Sequence, residues 1–130
     1  MSKSIRVISI VVVISVVLLT ACSSASSDAP AAVMQAYWQA MADKDSAALS
    51  SLTCADYEAV ALSTLDSFQA VDTKLADLTC ATSLLEGDAA EVTCQGSLEA
   101  TYGAEISNFD LSIYTFKLVK QGGDWLMCGE

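Results

Sequence analysis

From Ala90 to Ala100 the chain alternates without a break: Ala90, Val92, Cys94, Gly96, Leu98 and Ala100 are small or apolar, and Glu91, Thr93, Gln95, Ser97 and Glu99 between them are polar. A period of two marks a strand with one face buried and the other wet, which is the usual condition of an antiparallel sheet. Upstream of Val71 the period is longer. Tyr57, Ala61, Leu65 and Phe68 recur at intervals of four, four and three residues, the stripe of a helix packed on a core. A chain that changes period once, from about 3.6 to 2, is expected to be α+β, with its helices first and a sheet meander after them.

The boundaries follow from caps and turns. Asp28-Ala29-Pro30 has a helix-starting composition, and the run after it places Val33, Tyr37, Ala40 and Met41 on one face of a helix ending near Asp43. Asp45 caps a short second helix carrying Ala48, Leu49 and Leu52, because its carboxylate can accept from first-turn amides that have no partner in the helix. The first strand runs from about Val71 to Leu85. Its inward set changes parity between Leu75 and Leu78, which a bulge near Ala76 explains. Glu86-Gly87-Asp88 reverses the chain into the alternating strand. A third strand is expected over Ile106 to Lys120 and a fourth over Asp124 to Cys128, joined at Gln121-Gly122-Gly123.

The N-terminus is organised differently. Lys3 and Arg6 precede an apolar run from Ile8 to Leu19, the layout of an export signal, and the run is shorter than the ~20 residues of a full membrane span. Leu19-Thr20-Ala21-Cys22 closes it and resembles the bacterial lipobox. That resemblance implies cleavage of a signal peptide at residues 1–21 and a diacylglyceryl thioether on Cys22. A polar, Ser-rich tether at 22–29 and one domain at 30–130 follow. The implied partner is a membrane and the implied place is the extracytoplasmic cell envelope, since stable anchoring takes two acyl chains. Ser23 lacks the aspartate that resembles an inner-membrane retention signal, so the outer membrane is expected if the cell has one, and the outer face of the cell membrane otherwise.

Charge and composition then remove whole classes of function. The chain has 130 residues, six basic and sixteen acidic side chains, a net charge of −10 and no histidine. A single domain fills that length. Without histidine there is no Ser-His-Asp or Cys-His pair and no imidazole acid or base. Beyond the signal, only Lys44, Lys74, Lys117 and Lys120 oppose the sixteen acids, and no basic run offers a footprint for nucleic acid. Asp43-Lys44-Asp45 and Glu86-Gly87-Asp88 lack the ligand number and spacing of a calcium loop. No metal or cofactor is expected.

Cys54, Cys80, Cys94 and Cys128 remain after Cys22, in a compartment where disulfides persist. A hairpin pivoting on Gly87 sets Thr82 against Val92, Leu78 against Gly96 and Cys80 directly against Cys94, with β-carbons within about 5.5 Å, close to what a disulfide requires. Cys54 with Cys128 follows by elimination. A four-cysteine zinc site or a redox-active pair would call for a Cys-x-x-Cys motif, and there is none.

Two stretches carry a family resemblance. Val33-Met34-Gln35-Ala36-Tyr37-Trp38-Gln39-Ala40-Met41, with Asp43-Lys44-Asp45-Ser46-Ala47-Ala48-Leu49-Ser50-Ser51-Leu52, resembles the opening of nuclear transport factor 2-like, or cystatin-like, domains. Phe116-Lys117-Leu118-Val119-Lys120-Gln121-Gly122-Gly123-Asp124-Trp125-Leu126-Met127 resembles their terminal hairpin. With the lipobox, the whole is similar to small bacterial lipoproteins bearing such a domain of unknown function. The resemblance implies helices packed on a curved antiparallel four-stranded sheet that forms a cone with an open mouth, and pairing of two copies through the sheet.

The superfamily includes ketosteroid isomerase, whose chemistry needs a carboxylate base and acidic groups, among them a first-helix tyrosine, that stabilise an oxyanion. Tyr37 stands where that tyrosine falls. Where the family supplies its base, however, this chain reads Ala59-Val60-Ala61-Leu62, and the inward stripe of Tyr57 and Ala61 turns Asp56 and Glu58 outward. Dehydratase relatives rely on a His and Asp pair that cannot exist here. Trp38, Tyr57, Phe68, Tyr114, Phe116 and Trp125 read as core or rim packing, and in a cone some of them would line a pocket. Tyr37, Tyr57, Phe68, Phe116 and Trp125 are the pocket candidates. The expectation is a lipid-anchored binding or protein-interaction domain without catalysis, holding an apolar or peptide ligand in the cone. Two alternatives stay open: an isomerase-like enzyme using Tyr37 and a pocket carboxylate, and a structural subunit of an envelope complex.

Overall fold

The computed structural model describes residues 28–130, so the expected signal peptide at 1–21, the expected lipidation of Cys22 and the expected tether up to residue 27 fall outside the described residues. Helix α1 spans Ala29–Asp43, with Pro30 in its first turn, where the missing N–H would have had no helical partner. It ends on Lys44 in the left-handed region (φ 59°), whose N–H turns back onto the Ala40 and Met41 carbonyls. The Lys44 ammonium donates to the Val71 carbonyl, and Thr73 Oγ1 donates to the Ala42 carbonyl at 2.7 Å. The end of α1 is thereby tied to the start of the sheet. Along its buried face, Met34 is fully enclosed while Val33 is half-buried, so the stripe runs Pro30, Met34, Tyr37 and Met41, one position away from the expected Val33.

Helix α2 covers Ser46–Ser51, and Asp45 caps it by accepting from the Ala48 N–H at 3.0 Å. Helix α3 covers Ala55–Ser67 and buries Ala61 and Leu65, with Phe68 at its end. Between α2 and α3 the backbone pairs with the last strand: the Cys54 N–H donates to the Met127 carbonyl at 2.9 Å, and the Met127 N–H donates to the Leu52 carbonyl at 2.8 Å. Cys54 and Cys128 are joined beside this pairing, their Cα atoms 5.3 Å apart.

The sheet comprises β1 (Asp72–Glu86), β2 (Ala89–Tyr102), β3 (Glu105–Asp110), β4 (Thr115–Gln121) and β5 (Asp124–Gly129). These five segments occupy four strand positions. β1 pairs along one edge of β2; β3 and β4 share the other edge, and β5 pairs with β4, every pairing antiparallel. The third strand, expected as one piece over Ile106 to Lys120, is thus two. Its interruption is chemical: Asp110 accepts from the Ser112 N–H (2.9 Å) and hydroxyl (2.6 Å), and the resulting 3-10 turn over Leu111–Ile113 drops Leu111 into the core.

Alternation in β2 is realised residue by residue, with Ala90, Val92, Cys94, Leu98 and Ala100 buried on the concave face. Opposite them β1 carries two bulges. One lies between Ala76 and Thr79 and the other between Thr82 and Leu84. The first accounts for the parity change and also removes the expected pairing of Leu78 with Gly96, since Ala76 pairs with Ser97 and the ladder resumes only at Thr79 with Gln95. The second compensates for the turn: Glu86 pairs with Ala89, so the chain reverses between Gly87 and Asp88 instead of on Gly87 alone. Thr82 opposite Val92 and Cys80 opposite Cys94 are present in the register, and Cys80 and Cys94 are joined with Cα atoms 4.0 Å apart. An extra residue in one strand bends it and raises its twist. Two in β1 curl the sheet around α1, leaving a core of Met34, Met41, Leu49, Leu65, Leu98, Leu111, Phe116, Leu118 and Met127.

Candidate functional site

A cleft of about 240 Å³ opens where the end of α3 faces the far half of the sheet. α1 contributes Trp38, α3 contributes Thr64 and Ser67, and Phe68 follows from the helix end. Leu98 of β2 and Phe109 of β3 form the floor, Leu111 and Tyr114 come from the 3-10 turn and its exit, and Glu130 closes one side. Phe109 reaches the concave face because it pairs directly with Leu98, and directly opposed residues share a face.

Aromatic contacts hold the walls. Phe68 meets Phe109 edge-to-face at 5.3 Å, Trp38 meets Phe116 at 5.7 Å, and Tyr114 lies 6.1 Å from Phe116. Phe109 and Tyr114 remain 41% exposed, so the rim is open to solvent. Trp38 Nε1 is buried and has no hydrogen-bond partner among the described residues. Such an unpaired donor carries a desolvation cost that an acceptor would relieve.

Of the five pocket candidates, Phe68 lines this cleft. Phe116 is fully enclosed and acts behind the wall, supporting Trp38 and Tyr114. Tyr37, only 3% exposed, packs edge-on against Trp38 at 5.4 Å. Burial pushes its hydroxyl pKa far above the ordinary tyrosine value, and Tyr57 and Glu130 add to the effect. Tyr57 is half-buried and moves in the same direction, through burial first and then through the neighbouring Glu130 carboxylate. Trp125 lies half-buried on β5 with the Lys120 ammonium 5.9 Å from its ring. Asp56 is exposed and Glu58 half-buried, and neither lines the cleft.

Thr64, Ser67, Leu98, Phe109, Leu111 and Glu130 are the lining residues that sequence reasoning missed. In an unbroken strand with Phe116 and Leu118 inward, the odd-numbered Phe109 falls outward. The break after Asp110 resets the alternation. The available signal was Asp110-Leu111-Ser112, an aspartate two residues before a serine, which is a local turn former. Among the described residues, no group of three or more His, Cys, Asp or Glu side chains is placed to hold a metal ion, and no helix is long and apolar enough to cross a membrane.

No protein-family model matches the sequence, and comparison with curated proteins gives no match. Solved structures do match. An NTF2-like protein with a cystatin-like fold from Novosphingobium aromaticivorans is 15% identical, with a TM-score of 0.54 over 77% of this chain and 75% of that one. A candidate dehydratase of the NTF2-like family from Streptomyces avermitilis is 15% identical (TM-score 0.55; 80% of this chain, 95% of that one). A candidate ketosteroid isomerase from Shewanella frigidimarina is 16% identical (TM-score 0.53; 76% and 89%). At such identities the likeness is one of backbone. With helices followed by a curled antiparallel sheet, the chain has the nuclear transport factor 2-like, cystatin-like fold.

Proposed function

We propose that this chain is a binding module held on the extracytoplasmic face of a membrane through a diacylglyceryl group on Cys22, and that its cleft takes a small, largely apolar ligand without chemically altering it. The observation that carries the binding reading is the cleft itself: aromatic and aliphatic walls, three hydroxyls (Thr64, Ser67 and Tyr114) and one carboxylate, open at the rim. A concave apolar surface with few polar groups is the usual form of a ligand site. The anchor rests on the order of Lys3, Arg6, the apolar run and Leu19-Thr20-Ala21-Cys22.

The enzyme alternative asks for Tyr37 and a carboxylate acting together in the cavity. Glu130 is the carboxylate at the cleft, but it is exposed, and Tyr37 does not line the cleft. A phenol whose pKa is pushed upward is also a weaker proton donor to a developing oxyanion. These features favour binding over proton transfer. An envelope protein, or a second copy meeting the convex face of the sheet, is the partner that the structural-subunit reading would require.

One preparation tests both parts. The full chain, expressed in a bacterial host and extracted in a neutral detergent, should carry two acyl chains and lack residues 1–21 by mass, and Cys22→Ser should leave it unacylated. Gentle ionisation should show a small molecule lost on denaturation, or the protein should quench on adding apolar probes through Trp38. An unmodified Cys22 overturns the anchor; a ligand-free protein indifferent to every probe overturns the binding reading.

A further inference from the structure

Which ligand class the cleft favours can be read from its charge. Four aromatic rings line it, Trp38, Phe68, Phe109 and Tyr114, and among the described residues its one charged lining residue is Glu130. Among the described residues, no lysine lines it. Lys74 is paired with Glu99 at 2.8 Å, Lys44 is bonded to the Val71 carbonyl, Lys120 lies over Trp125, and Lys117 alternates with the buried Phe116 and Leu118, which sends it to the opposite face of β4. The surrounding chain carries sixteen acids against six bases. Near and far charges therefore have the same sign.

Aromatic faces present negative charge and attract cations, most strongly those that shed water easily. A carboxylate beside such rings neutralises the incoming charge, and a net-negative surface draws cations towards the mouth. An anion of the same shape meets Glu130 and the field of the whole molecule. A neutral molecule gains the apolar walls but neither electrostatic contribution. The volume of about 240 Å³ sets the scale, below that of a drug-sized pocket.

From this complementarity we infer that the cleft selects a small apolar cation, a quaternary or alkylated ammonium group, over neutral or anionic molecules of equal shape. The inference rests on the binding reading above and adds the ligand's charge. The group could belong to a free solute or to a lipid headgroup, and the cleft would read the same chemistry in either.

The test uses three molecules of nearly one shape: choline, 3,3-dimethyl-1-butanol and 3,3-dimethylbutanoate. Each is titrated into the full chain in a neutral maltoside, followed by calorimetry and tryptophan fluorescence. Choline should bind about tenfold more tightly than the alcohol, the size expected for one cation–aromatic site, and the carboxylate should bind least. Glu130→Gln should shrink the preference for choline while leaving the alcohol unchanged, and Phe109→Leu should weaken choline more than the alcohol. Both positions are exposed, so neither change threatens the fold. An alcohol that binds as well as choline, or a preference of undiminished size in Glu130→Gln, overturns the inference and leaves the binding reading standing. If none of the three binds, the inference falls, and the binding reading falls with it only when the protein is also ligand-free and indifferent to the apolar probes above. Phosphatidylcholine vesicles that compete with choline, where phosphatidylglycerol vesicles do not, identify a headgroup as the source; no competition identifies a free ammonium compound.

Discussion

Gly96 backs directly onto the carbonyl of Asp77: a β-carbon built on Gly96 would stand 2.6 Å from that oxygen and would also collide with the Ala76 carbonyl. Both residues have left-handed backbones, with φ of 98° at Gly96 and 53° at Asp77. The bulge in β1 and the glycine in β2 are one device, because the extra residue pushes carbonyls into space that only a missing side chain leaves free. Gly96→Ala combines a disfavoured φ with a backbone clash. It is expected to lower unfolding free energy by roughly 3 kcal/mol or more, read from urea denaturation followed by tryptophan fluorescence. A loss below about 1 kcal/mol would mean that the two strands do not meet as described.

Thr82 faces Val92 across the same ladder, and its Oγ1 is buried with no partner among the described residues. Replacing it with valine keeps the shape, removes the stranded hydroxyl and suits a strand. Thr82→Val should raise unfolding free energy by about 1 kcal/mol. A comparable loss in the same denaturation experiment would show that the hydroxyl has a partner.

What the sequence made legible and what it hid divide along range of interaction. Helix caps at Pro30 and Asp45, the alternation over Ala90 to Ala100 and the parity change beyond Leu75 all depend on neighbours in the chain, and each has its counterpart in the structure. The second bulge between Thr82 and Leu84 left no local trace, because it compensates for where the turn falls. The cleft was least legible. Its floor depends on Phe109 facing inward, which depends on Asp110 and Ser112 breaking an apparently continuous strand. Glu130 joins it only because β5 returns beside α3. Aromatic residue type pointed at Phe68 and equally at Phe116, and only packing separates the ring that lines the cleft from the one behind it.

The two disulfides should differ in what they hold. Cys54–Cys128 spans 74 residues and Cys80–Cys94 spans 14. In the chain-entropy account, the longer loop restricts the unfolded chain more, giving about 4.5 kcal/mol against about 3. The double variant Cys54→Ala/Cys128→Ala should therefore lose more stability than Cys80→Ala/Cys94→Ala in thermal denaturation. The backbone pairing of Cys54 and Leu52 with Met127 adds to this order, since it depends on the same junction. The reverse order would show that packing at the buried Cys80–Cys94 pair outweighs loop length.

Tyr37 gives the fold a sensitivity to alkali. In the unfolded chain its phenol titrates near pH 10. In the folded protein burial raises it, with Tyr57 and Glu130 adding to the effect. Below about pH 10 both states hold the proton and this phenol contributes no pH dependence. Above it the unfolded chain releases a proton that the folded protein keeps, so the folded state binds more protons and stability falls as pH rises, by about 1.4 kcal/mol per pH unit. Tyr37→Phe removes this contribution, whereas Tyr57, raised in the same direction, still titrates in the variant. Between pH 8 and pH 11 the variant should thus lose less stability than the parent, without becoming independent of pH. Urea denaturation of both proteins at the two pH values checks this, alongside tyrosinate absorbance near 295 nm. Equal losses would mean that the Tyr37 hydroxyl reaches water, and the enclosure of that ring against Trp38 would have to be redrawn.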